Sequence, residues 1–394
     1  MLAYRKSDFD ALARSEAAAR WAKDPSLDEA AAKALAGRFP SPFYTPNEFI
    51  RIGLFIFGSI CAMAALGLFY LMTGIRGTSN DIGILLVVFG AGMMLLLETL
   101  LRRDKPFFRA GLEEAILYGA LLSLISGFLV LIRFKSDPNL ALALFLGIVC
   151  AAAALRYADS LLAAVALGWG FHALFHACEG LGNRAGYVLP MLVIAISALM
   201  VKASGWALRQ DGLRYWEHLW KVLRFLALLT CYAGGNYFVV REMSHALFGL
   251  SLEEHQDIPM AMAFYIYTFG LPLFYIAFGM AKRERLFLNA GLLIFAMAVF
   301  TYKYYHHVMS VEMGLTLAGF ALIGIAWIAL KAFKSVRYGI TAAAQQGSSR
   351  SGFLNVESLA LLKTFGSKDA PPQAPEGYRG GGGNFGGGGA SGNF

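Results

Sequence analysis

The sequence predicts an all-α fold, a polytopic transmembrane helical bundle of about 10 spans with a small N-terminal cytoplasmic helical hairpin. Two observations predict it. Only 15% of the 394 residues are charged, whereas soluble proteins carry about 25% charged residues. The hydrophobic residues, 57% of the chain, are concentrated in long uncharged runs, and a helix needs about 20 such residues to cross a bilayer.

Residues 1–49 are predicted to form the soluble helical hairpin on the cytoplasmic side. Ser7 can cap a first helix, and Asp24, followed by proline, would end it. Ser26 and Glu29 then have the spacing of a capping box, which indicates the start of a second helix. The chain next runs through a proline-rich stretch into the membrane.

The predicted transmembrane domain, residues 50–335, contains ten apolar runs. Their bounds are 50–74, 82–101, 115–132, 139–155, 158–177, 187–204, 222–240, 260–280, 286–302 and 311–333. Only Arg156 and Tyr157 separate the fourth run from the fifth, so the count depends most on this point. A change of one in the count would put the termini on opposite faces.

Lysine and arginine alternate between the two sides of the predicted bundle. One side has the N-terminal segment and basic clusters that include Arg102, Arg103, Lys105, Lys202, Arg209, Lys282, Arg283 and Lys334. The rule that positive loops stay inside therefore predicts a multi-pass membrane protein with both termini cytoplasmic. It also accounts for the net charge of +8. Without a basic stripe or an aromatic-interleaved motif, nucleic acid is not an expected partner.

Residues 336–394 are predicted to be a cytoplasmic tail. Residues 353–365 could form a short amphipathic helix, and the glycine-rich end is expected to be disordered because so many glycines lose too much entropy on ordering. The lipid bilayer is the first expected partner. The N- and C-terminal segments could contact a protein partner.

Two segments carry a resemblance. The membrane entry FYTPNEFIRIGLFIFG, Phe43 to Gly58, behind a short soluble helical piece, resembles a family of uncharacterised bacterial polytopic inner-membrane proteins. The tail GGGGNFGGGGASGNF is similar to the glycine-rich ends of some bacterial membrane-anchored proteins. The resemblance implies a bacterial inner membrane and a bundle of many spans, and it implies no activity.

Histidine and carboxylate residues gather at the predicted outer side. His172, His176 and Glu179 share one helical face, and Glu242 and His245 have the Glu-x-x-His spacing of helical carboxylate metal sites. The candidate metal ligands are His172, His176, Glu179, Glu242, His245 and His306. Imidazole and carboxylate suit a divalent metal such as zinc. Two alternatives remain open, namely interfacial polar residues bonded to neighbours or water, and a protonation switch.

Two predicted spans contain helix-breaking residues. The seventh contains Gly234, Gly235 and Asn236, and the eighth contains Gly270 and Pro272. Transporters use broken spans because unwound backbone can line a cavity. Ordinary spans also contain glycine and proline, so the pattern favours a carrier without requiring one.

Any chemistry must use the spans and their ends, because the loops between them are too short for a soluble catalytic domain. No P-loop, nucleophile elbow or HExxH pattern occurs. We therefore expect a non-enzymatic protein, either a carrier-like permease or a membrane assembly component. The alternative is a membrane-embedded metal-dependent enzyme with a periplasm-facing His/Glu site.

Overall fold

The computed structural model describes residues 2–21, 37–74, 78–101, 106–133, 139–248 and 261–306, with isolated positions between 30 and 331. Within these ranges the protein is all-α and has no strand. One isolated bridge joins Tyr44 to Phe107. The predicted second helix of the hairpin, the tenth span and the tail lie outside the described residues, apart from those isolated positions.

Eleven α-helices occur in the described ranges. They are α1 Lys6–Trp21, α2 Glu48–Thr73, α3 Ser79–Leu101, α4 Leu112–Leu131, α5 Leu140–Tyr157, α6 Ser160–Glu179, α7 Ala185–Ala207, α8 Glu217–Gly235, α9 Tyr237–Phe248, α10 Ala261–Lys282 and α11 Arg285–His306. Short 3-10 helices precede α7 and α8.

Seven of the described helices are long and apolar enough to cross a membrane, namely α2 to α6, the Val188–Ala207 part of α7, and α10. The predicted count of ten is not confirmed. The predicted seventh span, 222–240, is divided between α8 and α9, and the apolar part of the ninth, Arg285–Thr301, falls below the required length. Seven long apolar helices nevertheless indicate a multi-pass membrane protein.

Side-chain caps define several helix starts. The amide oxygens of Asn47 and Asn139 accept hydrogen bonds from the backbone N–H groups at the starts of α2 and α5, each at 2.9 Å. The carboxylate of Asp159 caps α6 by accepting from Leu162 N at 2.7 Å. Each cap satisfies a donor that the first helical turn leaves unpaired. The fourth and fifth predicted spans are therefore two separate helices, and Ala158 turns between them with φ 53°.

The helices pack chiefly with their neighbours in sequence: α3 with α4, α5 with α6, α7 with α8 and α10 with α11, while α2 lies against α4. Glycines bring α3 and α4 close together. A Cβ at Gly127 would lie 2.7 Å from the carbonyl oxygen of Gly83. Small residues are the usual means of close helix contact in membranes, where dispersion replaces the hydrophobic effect.

The N-terminal residues pack onto one end of the bundle, which we call the α1 end. The aromatic cluster there consists of Tyr4, Phe9, Phe43, Phe108 and Tyr215, with ring centroids of neighbouring members 5.0–5.9 Å apart. Tyr4 and Phe43 are buried. Burial is the main cause that raises the pKa of the Tyr4 hydroxyl well above its ordinary value, and the charge of nearby Glu113 adds to it. The phenol is therefore neutral. Because Phe9 of α1 packs in the same cluster, α1 is part of the packing of the bundle.

Gly111 provides a stability prediction. Its φ is +93°, and a Cβ there would lie 2.1 Å from the carbonyl oxygen of Arg51 on α2. Gly111→Ala should therefore destabilise the protein by about 1–3 kcal/mol, because it adds backbone strain and a clash with α2. Gly53→Ala is the control, since a Cβ at Gly53 meets nothing within 4 Å. Thermal unfolding in detergent should show a lower Tm for the first variant alone, and equal Tm values would contradict the assigned contact.

Candidate functional site

A crevice opens between α3, α4 and α5 towards the α1 end. It holds about 610 Å³. Its walls are mainly apolar, formed by side chains such as Met94, Leu121, Val149 and Ala153. Glu98, Arg156 and Tyr157 also line it. An apolar cavity with a few convergent polar groups is the usual form of a small-molecule site.

The polar residues of the crevice form one hydrogen-bonded group. Arg156 donates to Glu98 Oε1 from Nη2 at 2.7 Å and from Nε at 3.1 Å. The Tyr157 hydroxyl donates to the same oxygen at 2.8 Å. The Arg156 side chain is 44% exposed and that of Glu98 20%. The pair therefore stays accessible to a ligand while its charges are matched.

Sequence reasoning identified neither Arg156 nor Tyr157 as a site residue. It placed them between the fourth and fifth predicted spans. The structure extends α5 to Tyr157, which brings its last turn beside the last turn of α3. A charged residue inside an otherwise apolar span, as at Glu98, is the signal that could have indicated this pair.

A second cavity lies on the other side of α5, between α5, α6, α7 and α8. It holds about 400 Å³, and its lining is almost wholly apolar, with Ala154, Ala163, Phe171 and Met200 among the contributors. Trp220 also lines it, and its buried indole N–H has no hydrogen-bond partner among the described residues. The alanine-rich part of α5 separates the two cavities.

The predicted His172, His176 and Glu179 come together on α6. The two Nε2 atoms are 3.2 Å apart, and His176 Nδ1 lies 2.9 Å from Glu179 Oε2. The His176 side chain is 8% exposed and that of Glu179 51%. Trp169 and Phe175 flank the pair with ring centroids 5.4 Å from those of His172 and His176, respectively.

The other candidate ligands are placed less completely. Glu242 is exposed on α9, which also contains His245, and His306 ends α11. The side chains of His245 and His306 lie outside the described residues. Within the described part of the chain, no group of three or more His, Cys, Asp or Glu side chains is arranged to hold a metal ion.

The helix interruption at Gly234, Gly235 and Asn236 is tightly packed. Helix α8 ends at Gly235, Asn236 is extended with φ −72° and ψ 126°, and α9 begins at Tyr237. A Cβ at Gly235 would lie 2.4 Å from the ring of Tyr267, and one at Gly234 would lie 2.9 Å from Val193. The glycines therefore allow close packing here instead of lining an open cavity.

Asn236 replaces the hydrogen bonds that the break removes. Its buried amide donates to the Tyr232 hydroxyl at 2.8 Å and to Thr301 Oγ1 at 3.1 Å. Its oxygen accepts from Val239 N at 3.1 Å, which caps α9. Tyr237 N, also released by the break, donates to Thr268 Oγ1 at 3.0 Å. These contacts join α8 and α9 to α10 and α11.

Gly270 and Pro272 do not interrupt their span. Helix α10 is continuous from Ala261 to Lys282 and contains both residues. Pro272 is fully buried, and a Cβ at Gly270 would meet nothing within 4 Å. Neighbouring helices commonly allow a proline in a transmembrane helix.

No protein-family model matches the chain, and no curated protein or solved structure is significantly similar to it. The class that the helices indicate, a multi-pass α-helical membrane protein, is therefore the starting point. The crevice and the histidine pair are the two features of the described residues that could bind a ligand.

The buried amide of Asn236 provides a second stability prediction. Asn236→Ala should cost about 1–3 kcal/mol, because it leaves the Tyr232 hydroxyl and Val239 N without these partners in an apolar interior. Asn47→Ala is the matched control, since Asn47 also caps a helix but is exposed, and it should cost about 1 kcal/mol or less. Unfolding by SDS in mixed micelles measures both, and equal losses would show that the buried network contributes no more than a cap.

Proposed function

We propose that the protein is a carrier-like permease that binds an amphipathic, lipid-like molecule in the crevice between α3, α4 and α5. The observation that supports it most is the Glu98–Arg156 pair at the polar part of an otherwise apolar crevice of about 610 Å³. An acyl chain fits the apolar walls. A phosphate or carboxylate group fits the guanidinium of Arg156, which favours such anions through paired hydrogen bonds.

The crevice supports this proposal better than the helix interruption does. A carrier working through broken spans needs unwound backbone beside a cavity. Val193 and the Tyr267 ring pack against Gly234 and Gly235, and the freed polar groups have partners. The proposed carrier therefore takes its solute from the bilayer, beside α5, and not through a channel at the midplane.

The assembly-component alternative has less support. It requires a terminal segment free to contact a partner protein. Tyr4 and Phe9 are packed in the aromatic cluster, Ala3 N donates to the carbonyl of Arg156 at 2.8 Å, and Asp10 pairs with Arg214 at 2.7 Å. Because these contacts hold the N-terminal segment against the bundle, we propose that a protein partner would bind the C-terminal tail.

We place the chain in a bacterial inner membrane with the α1 end and both termini in the cytoplasm. The basic clusters at this end support that orientation, because positive residues are retained on the cytoplasmic side. Fusions of a cytoplasm-active and a periplasm-active reporter at Lys363 test it. Signal is expected from the cytoplasm-active reporter alone, and strong signal from the periplasm-active one would reverse the assigned position of the C terminus.

Charge removal at Arg156 tests the crevice. Arg156→Gln should reduce labelling by a photoactivatable phospholipid about tenfold, because a charge-assisted hydrogen bond contributes about 1.5–3 kcal/mol. Ala152→Phe keeps the ion pair and fills a wall of the crevice, so it should also reduce labelling. Lys202→Gln is the control, since Lys202 is an exposed cation near the same end, on α7. Mass spectrometry of the labelled peptides locates the lipid.

Transport is measured separately from binding. Proteoliposomes with a fluorescent phospholipid should show faster exchange between leaflets with the wild type and with Lys202→Gln than with the two crevice variants. Equal labelling of all four proteins would overturn the binding site. If labelling is confined to the crevice but the exchange of lipid between leaflets is not faster, the carrier function is wrong and the crevice is only a lipid-binding site.

A further inference from the structure

The His172–His176 pair is separate from the proposed crevice. Both histidines lie in the second half of α6, whose first turn is at the α1 end. His172 is thirteen positions after Asp159, which corresponds to roughly 20 Å along a helix rising 1.5 Å per residue. A ligand at this pair would therefore be independent of the lipid-like solute.

The spacing of the two rings matches that of two ligands on one metal ion. A tetrahedral zinc ion lies about 2.0–2.1 Å from each imidazole nitrogen, so two such nitrogens are separated by roughly 3.3–3.4 Å. The Nε2 atoms of His172 and His176 are 3.2 Å apart. The separation of the two nitrogens is therefore close to that of a bidentate chelate.

Glu179 selects the tautomer that metal binding requires at His176. A carboxylate only accepts hydrogen bonds, so His176 Nδ1 donates to Glu179 Oε2 across 2.9 Å. The lone pair of the neutral imidazole then lies on Nε2, facing His172. A carboxylate that accepts from the distal nitrogen of a metal-bound histidine orients the ring and makes the ligand more basic.

We propose that His172 and His176 form a two-imidazole site for a divalent transition metal such as zinc, with Glu179 as the hydrogen-bond acceptor of His176 and not as a ligand. The metal takes the place of the proton on His172 Nε2, and that proton moves to Nδ1 of the same ring, so both imidazoles bind as neutral ligands. Since no third ligand side chain joins the pair within the described residues, water or a small anion takes the remaining positions. Such an open site binds metal reversibly.

Zinc binding by the full-length protein in detergent tests the proposal. Titration against a chromophoric chelator should show one equivalent bound by the wild type and at least a tenfold weaker affinity for the variant with His172→Ala and His176→Ala. Glu179→Gln should keep the stoichiometry and weaken binding about tenfold, the lower end of the effect of losing such a partner. His218→Ala, which removes a histidine at the α1 end, is the control and should bind as the wild type does.

X-ray absorption of the zinc-loaded wild type gives a measurement that needs no variant. Two imidazole nitrogens and one or two oxygens at about 2.0–2.1 Å are expected. Equal affinity of the wild type and the double variant, or a spectrum without imidazole scattering, would overturn the site. Undiminished binding by Glu179→Gln would overturn the role of Glu179. Neither result bears on lipid labelling at the crevice.

Discussion

The interior of a bilayer offers the backbone no hydrogen-bond partner, and this constraint governs most of the structure. It accounts for the helical form of the long apolar segments that the structure describes, and it requires replacement hydrogen bonds wherever a helix stops inside the bundle. Asn236 supplies them between α8 and α9. One side chain ends one helix, caps the next and reaches Thr301 on α11. A break that would expose unpaired backbone instead joins four helices.

The same constraint explains the charged residues near the helix ends. A carboxylate in an apolar environment needs a matched partner, and Glu98 has both Arg156 and the Tyr157 hydroxyl. The carbonyl of Arg156 also accepts a hydrogen bond from Ala3. The N-terminal segment and the polar part of the crevice therefore share one residue, so the position of α1 and the shape of the crevice are coupled.

The two proposed sites differ in how their polar groups are held. Glu98 and Arg156 come from different helices, so the relative position of α3 and α5 sets their distance. His172, His176 and Glu179 lie on a single helix, where spacings of four and three residues place their side chains together without help from another element. The histidine group should therefore tolerate movement between helices that would alter the crevice.

The sequence by itself determined the all-α membrane class, the approximate bounds of the first six predicted spans and the grouping of His172, His176 and Glu179. These features depend on local properties, namely hydrophobic run length and the 3.6-residue period, which a single chain displays directly. The same local argument identified Asn236 as a point of interruption, because glycines and asparagine are poor helix formers.

Only the tertiary structure decided what those features contact. The interruption at residues 234–236 packs against Tyr267 and bonds to Thr301. Helix α10 stays continuous through Pro272. Glu98 pairs with Arg156, which is 58 residues further along the chain. The tertiary structure also placed Phe9 of the first helix against Phe43 and Phe108. The physical reason is that burial, pairing and cavity shape depend on which helices become neighbours, and hydropathy is nearly the same for every face that meets lipid or another helix.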